Sequence, residues 1–216
     1  MTTRGLFITL EGGEGAGKST AIDYLQRRLG DAGVPVQATR EPGGTPLGED
    51  VRRVLLSVRD TPVDPLAELL LIFAARSQHI QAVIQPALAR GTWVLCDRFT
   101  DASYAYQAGG RQLPMQWVQQ LEDLVQAGLR PDCTLLLDAP VETGLARARG
   151  RGELDRFERE ELGFLQRVRE TYLRLARESS GRYRVLNAEQ SLEDVIMQLD
   201  VIIEELLRCW HEVQGE

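Results

Sequence analysis

Only one lysine, Lys18, occurs among the 216 residues of this chain, although lysine and arginine together number 25. Cysteine, histidine and aromatic residues are scarce too, at three, two and 6%. Cys96, Cys133 and Cys209 lie far apart, which excludes both the close pairing of a zinc site and the framework of a disulfide-stapled secreted domain. His79 and His211 stand alone on segments of helical spacing, and with no visible partner neither is assigned to metal binding or proton transfer. Excess positive charge is also missing. The net charge of -7 argues against a nucleic-acid coat or an anionic-membrane binder, so an anionic ligand has to be met by a local basic cluster. No apolar run approaches the roughly 20 residues that span a bilayer, and the first residues read as a strand rather than a signal peptide. A cytoplasmic protein without nucleic-acid or membrane partners is expected.

What is present is enough for a core: 43% of the residues are hydrophobic. The length suits one domain over residues 1–216, with mobile flaps. Short apolar runs at 6–10, 34–39, 92–97, 133–138 and 183–186 alternate with segments of helical spacing at 19–29, 47–58, 66–90, 115–127, 141–149, 158–178 and 192–211. Two of the runs, TWVLCD and CTLLLD, end in aspartate, as buried parallel strands do when they deliver a polar group at their carboxyl edge. The predicted fold is α/β and three-layered: a five-stranded parallel sheet flanked by helices, with a mobile arginine-rich lid at about 146–158.

The strongest local signal surrounds the lone lysine. In EGGEGAGKST, Gly12, Gly17, Lys18 and Ser19 satisfy G-x-x-x-x-G-K-[ST] between a predicted strand and a predicted helix. Such a loop (Gly12, Gly13, Glu14, Gly15, Ala16, Gly17, then Lys18, Ser19 and Thr20) turns successive N–H groups towards phosphate oxygens, and the helix N-terminus adds its positive end. Lysine is a compact point charge, suited to sit between the β- and γ-phosphates, whereas arginine is a flat fork. The Ser19 hydroxyl is placed to hold Mg2+. A nucleoside triphosphate with Mg2+ is therefore the expected ligand, and the three-layer α/β fold is expected to be of the P-loop NTPase type.

A GTPase switch needs an N-K-x-D motif, which a chain with one lysine cannot supply. A motor ATPase usually carries Asp-Glu at the end of a strand; here the pair is Asp97-Arg98, which suits holding a second phosphate better than activating water. Arg147, Arg149, Arg151 and Arg156 crowd a segment broken by Gly150 and Gly152, a composition fit for a lid that closes on transferring phosphate and excludes water. Transfer to an acceptor is the chemistry these features favour. A different P-loop kinase and a non-catalytic nucleotide-binding module remain the alternatives.

Four blocks, LEGGEGAGKST, TREPGGT, CDRFTDASYAYQ and RARGRGELDRFE, resemble in order and spacing the bacterial thymidylate kinases. That resemblance implies ATP-dependent phosphorylation of dTMP to dTDP, with dTMP and ATP as small-molecule substrates, Mg2+ and a homodimer. It implies Glu14 at the 3'-hydroxyl of dTMP near the metal, Arg98 on the dTMP phosphate, Asp97 on Mg2+ through water, and Glu41 and Pro42, with Arg40 beside them, shaping the monophosphate site around a cis bond before Pro42. Gly15 stands where one branch of the family has a catalytic arginine, so the lid is expected to supply it through Arg151, with Arg149 and Arg156 as neighbouring alternatives. Arg76 matches the contact to the pyrimidine carbonyl. The family's stacking phenylalanine lies four residues earlier, where this chain has Ile72; Phe73, one place on, either covers the base or belongs to the core. Ser103 matches the residue at the ring N3 edge, with Gln107 one turn on, and Tyr106 the aromatic against C2' that disfavours a ribose. Arg147 is a candidate for the adenine side.

Overall fold

The computed structural model describes residues 4–150, 155–179 and 181–214. Strand β1 (Phe7–Glu11) is buried along its whole length, and its alternate residues serve opposite faces. Ile8 and Leu10 join one cluster with helices α1 (Lys18–Asp31) and α9 (Leu192–Gln214). Phe7 points the other way, into a cluster with Ile80, Ile84 and Leu88. The central strand thus fixes a layer of helices on each side of the sheet.

Strands β2 (Val36–Arg40), β3 (Trp93–Asp97), β4 (Cys133–Asp138) and β5 (Tyr183–Asn187) complete the sheet in the order β2-β3-β1-β4-β5. Every neighbouring pair is parallel, with Leu10 opposite both Asp97 and Leu135. The chain lays down β2 and β3 on one side of β1 and only then crosses to β4 and β5. A crevice opens where the order reverses, at the carboxyl ends of β1 and β4. The glycine-rich turn after β1 sits there.

Helices α2 (Pro46–Leu56) and α3 (Pro65–His79) each carry proline in the first turn after a side-chain cap. The Thr45 hydroxyl accepts from Gly48 N–H, and the Asp64 carboxylate from Leu66 and Ala67 N–H. From His79 the helix widens into a π turn (Ile80–Ile84) before α4 (Gln85–Ala89), so the segment expected at 66–90 is one continuous rod with a bulge. A second widened turn has no counterpart among the expected elements. After α5 (Thr100–Ser103) the chain passes straight into a π segment (Tyr104–Gly110), which packs on α8 (Leu162–Glu178). Helices α6 (Met115–Gln126) and α7 (Val141–Arg149) follow the expectation closely. The helix expected from residue 158 begins at Leu162 because the preceding residues form turns in which Asp155 Oδ1 accepts from Phe157 and Glu158 N–H. No helix among the described residues is long and apolar enough to cross a membrane.

Candidate active site

The glycine-rich turn delivers its lysine by folding the side chain back over the loop. Lys18 Nζ donates to the carbonyls of Gly12 (3.2 Å) and Gly13 (2.9 Å). Burial, and then the nearby charge of Arg98, lower its pKa below the ordinary lysine value, against the pull of Asp97, Glu14 and Glu11. The charge of a phosphate at this point would favour the ammonium and offset the cost of its burial. Gly17 caps α1 with no side chain in the way, leaving the first amides facing the crevice; Ser19 and Thr20 are exposed beside it.

Gly15 explains a feature of the sequence. Its φ is +66°, and a Cβ there would stand 1.9 Å from the carbonyl oxygen of Gly144 on α7. Any side chain, arginine included, is excluded at the loop tip by backbone rather than by charge.

Beyond the loop lies an open cavity lined by Glu14, Glu41, Pro42, Arg52, Ile72, Arg76, Arg98, Phe99, Ser103, Tyr106 and Gln107 among others. The bond between Glu41 and Pro42 is cis, as expected. Arg98 stands at the boundary between loop and cavity. It is a non-glycine residue at φ 67°, held there by Arg98 N–H donating to Leu10 O (2.9 Å) and Phe99 N–H to Glu11 Oε1 (2.7 Å). Its guanidinium donates to Gly12 O (2.9 Å) and Glu14 Oε1 (2.7 Å) and lies 4.8 Å over the Tyr106 ring. Burial works against its charge, yet Glu14, Tyr106 and Tyr172 outweigh it and the pKa is raised. The Tyr106 hydroxyl donates to the same Glu14 oxygen (2.7 Å). Beneath them Glu11 is fully buried, with Tyr172 donating to its second oxygen (2.7 Å); burial, and then the charge of Asp101, push its pKa up to about 8.

Arg76, 1% exposed, donates from Nε to Glu41 Oε2 (2.6 Å), from Nη1 to Ser103 Oγ (3.1 Å) and from Nη2 to Phe99 O (3.0 Å). Gln107 donates to Glu68, a fully buried carboxylate that also pairs with Arg111 and Arg156. A second open cavity beside the loop is lined by Gly15, Gly17, Thr20, Tyr24, Arg147 and Gln190 with apolar residues of α9. Arg147 reaches across it to the carbonyls of Ala188 (2.7 Å) and Glu189 (3.4 Å).

Several expected site residues fall elsewhere. Arg40 does not line the cavity: its guanidinium is half exposed and pairs with Glu49 (2.9 Å). Arg52, on the helix that carries Glu49, lines it instead and donates to Pro42 O (3.1 Å). Burial, and then the charges of Arg40 and Arg98, lower its pKa, against the opposing pull of Glu49 and Asp97. Phe73 is core, packed with Leu69, Ala108 and Val118 and 4.5 Å beneath the Arg76 guanidinium; Ile72 and Phe99 belong to the apolar lining, with Leu55, Leu56, Ala102 and Phe157. Glu68 and Arg52 escape sequence reasoning because nothing local distinguishes them from solvated helix charges. His79, solitary in the sequence, is fully buried and bonded to Glu41 and Thr39. Arg151 lies outside the described residues. Arg149 is exposed, and Arg156 is committed to Glu68 (2.5 Å) and Leu55 O (2.6 Å).

Mg2+ can be tested against the residues present. Asp97 Oδ1, at the carboxyl end of β3, is buried without a hydrogen-bond partner among the described residues, an acceptor left over for a cation or its water. A carboxylate oxygen of this kind is the donor type that suits Mg2+.

A parallel sheet with a lysine-bearing phosphate loop at its switch point, and beside it an arginine-bearing cavity bordered by Arg98, defines a P-loop phosphotransferase. Residues 10–199 match the thymidylate kinase family profile. Proteins named thymidylate kinase from Ectopseudomonas mendocina and Pseudomonas putida are 58% and 57% identical over 205 and 206 residues, covering 95% of this chain and 98% of each relative. One from Pseudomonas syringae is 59% identical over 203 residues, 94% of this chain and 97% of its own. The chain belongs to the thymidylate kinase family.

Proposed function

We propose how this chain divides the work of the reaction its family membership brings: Mg2+-assisted transfer of a phosphoryl group from ATP to dTMP, giving dTDP and ADP. The observation that carries the reading is that Glu14 and Arg98 belong to both halves of the site, bonded to each other at the border of phosphate loop and acceptor cavity. Two anionic nucleotides approach end to end only where cations offset their repulsion. Lys18 and the loop amides bind the triphosphate, and Arg98, with Arg52, binds the phosphate of dTMP. An incoming phosphate displaces Glu14 as the partner of Arg98, turning that carboxylate towards the sugar 3'-hydroxyl. Arg76 and Ser103 meet the pyrimidine edge, and Tyr106, held by Glu14, crowds the 2' position. Mg2+, held through Ser19 and Asp97, would neutralise charge on the triphosphate. The acceptor phosphate is already anionic, so no general base is required and positioning with charge neutralisation is the whole of the chain's contribution.

Residues 1–216 act as one unit in this reading, with 146–158 as the closing lid and Arg151 on the transferring group. A homodimer and a cytoplasmic location complete the proposal. Arg151→Ala is expected to lower turnover a few hundredfold with the KM for ATP nearly unchanged, the loss typical of one preorganised donor. Steady-state kinetics checks this, and unchanged turnover transfers the role to Arg149, since Arg156 is tied to Glu68.

A panel of monophosphates read by ADP release tests the function itself. Turnover of dTMP should exceed that of UMP and CMP by about a hundredfold or more, because crowding against a 2'-hydroxyl discriminates better than mere fit. Equal turnover of the three removes the thymidylate reading, and nucleotide binding without any product removes catalysis.

A further inference from the structure

His79 is the last residue of α3, three places after Arg76 and on the same face of the helix. It is fully buried, and the reaction as described makes no use of it. Its Nδ1 lies 2.9 Å from Glu41 Oε1 and its Nε2 lies 2.6 Å from Thr39 Oγ1. The neutral ring satisfies both contacts: Nδ1–H donates to the carboxylate and Nε2 accepts from the Thr39 hydroxyl. Space for the ring is kept by Gly44, where a Cβ would stand 2.5 Å from His79 Nε2 and 2.6 Å from Thr39 Oγ1. Immediately after His79 the helix widens into its π turn, a distortion that is common beside functional sites.

The second oxygen of Glu41 accepts from Arg76 Nε, and Arg76 lines the acceptor cavity. Its bonds to Glu41, Ser103 and Phe99 employ three of the five N–H groups of the guanidinium, leaving one on each terminal nitrogen for a ligand. Glu41 is 4% exposed, so an Oε1 stripped of the imidazole is a buried acceptor in want of a new donor. Arg76, already bonded to the other oxygen of the same carboxylate, is a donor at hand. We infer that His79 is a positioning residue for the acceptor nucleotide: by occupying Glu41 Oε1 it keeps the carboxylate from capturing the two Arg76 N–H groups that face the cavity. This rests on the cavity being the dTMP site.

The test separates the two nucleotides. In His79→Leu, which fills similar volume without polar atoms, KM for dTMP should rise about tenfold while KM for ATP stays within about twofold and kcat within about threefold, as for loss of a contact made equally in ground and transition states. His79→Gln, which keeps one donor and one acceptor, should recover a dTMP KM within about threefold of the original chain. A purely structural role would instead lower the melting temperature and the active fraction in both variants without separating the substrates. A wild-type dTMP KM in folded His79→Leu, or an equal rise for ATP, overturns the inference. Should His79→Leu fail to fold, Thr39→Val reads the same quantity, because it removes only the hydroxyl that orients the ring; a dTMP KM about threefold higher at constant ATP KM supports the inference and no rise overturns it. The unaltered chain is run alongside: if it does not phosphorylate dTMP, the functional reading fails and takes this inference with it, whereas normal activity confines any failure to His79.

Discussion

Replacing Lys18 with methionine should lower single-turnover formation of dTDP on the order of ten-thousandfold while the protein keeps its melting temperature within a few degrees. Methionine approaches the length of the lysine stem and tolerates irregular packing, so the buried tunnel of the side chain is filled. Only two bonds to loop carbonyls are lost from the fold itself. What disappears is the single charge able to lie between the donor phosphates as negative charge shifts onto the leaving oxygens. No other lysine exists to replace it, and the neighbouring cation, Arg98, is already engaged by Gly12 O and Glu14. Lys18→Arg should do little better, because a flat fork on a longer side chain does not fit a residue 8% exposed beneath its own loop. Rapid-quench measurement with both nucleotides saturating isolates the transfer step. Activity within tenfold of the unaltered chain would remove the phosphate-loop assignment.

The half of the site contributed by contiguous residues is legible in the amino-acid sequence. Loop chemistry is local: glycines, lysine and serine at fixed spacing after an apolar run bring their own geometry, and Asp97-Arg98 follows directly from a strand that ends at the carboxyl edge. The five parallel strands follow from the same apolar runs, within one or two residues at their ends. The acceptor side is less legible because its residues come from separate segments and the face each presents is set by packing. Helix α3 shows this at single-residue scale. Ile72 and Phe73 are adjacent and both apolar, and only the docking of α3 against Val118 of α6 turns the aromatic inward and the aliphatic towards the cavity. The same holds for Arg40 and Arg52, where Glu49 on α2 takes the first and the helix turn brings round the second. His79 finds its partners 38 and 40 residues away, beyond any local pattern. The π segment at Tyr104–Gly110 has no signal either: its polar residues and glycines carry no helical stripe, and Gly109 and Gly110 let α8 approach, with Thr171 and Phe164 standing where a Cβ would be.

Arg98→Ala should cost on the order of a thousandfold or more in kcat/KM for dTMP, and Arg98→Lys should recover only a small part of it. The reasoning begins from the free enzyme. The Arg98 and Glu14 side chains are 16% and 15% exposed, and the guanidinium bridges Gly12 O, Glu14 and the face of Tyr106. Removing it takes away the cation that receives an incoming dianion at the mouth of the acceptor cavity, while the Glu14 carboxylate and the Tyr106 hydroxyl bonded to it stay in place. Arg52 cannot substitute, since it approaches from the Pro42 side of the cavity. A lysine ammonium restores charge but cannot bond a loop carbonyl and a carboxylate in the same plane while presenting further donors to phosphate. Lysine also lacks any advantage at φ 67°, so the backbone strain remains while the contacts that offset it are fewer. The loss should fall on dTMP far more than on ATP, whose loop and lysine are intact. Isothermal titration with each nucleotide alone separates the two: dTMP affinity falling by at least a hundredfold with ATP affinity within threefold is the expected pattern. Equal losses for both would mean that Arg98 shapes the loop rather than receives the acceptor, and wild-type dTMP affinity would assign the acceptor phosphate to Arg52 alone.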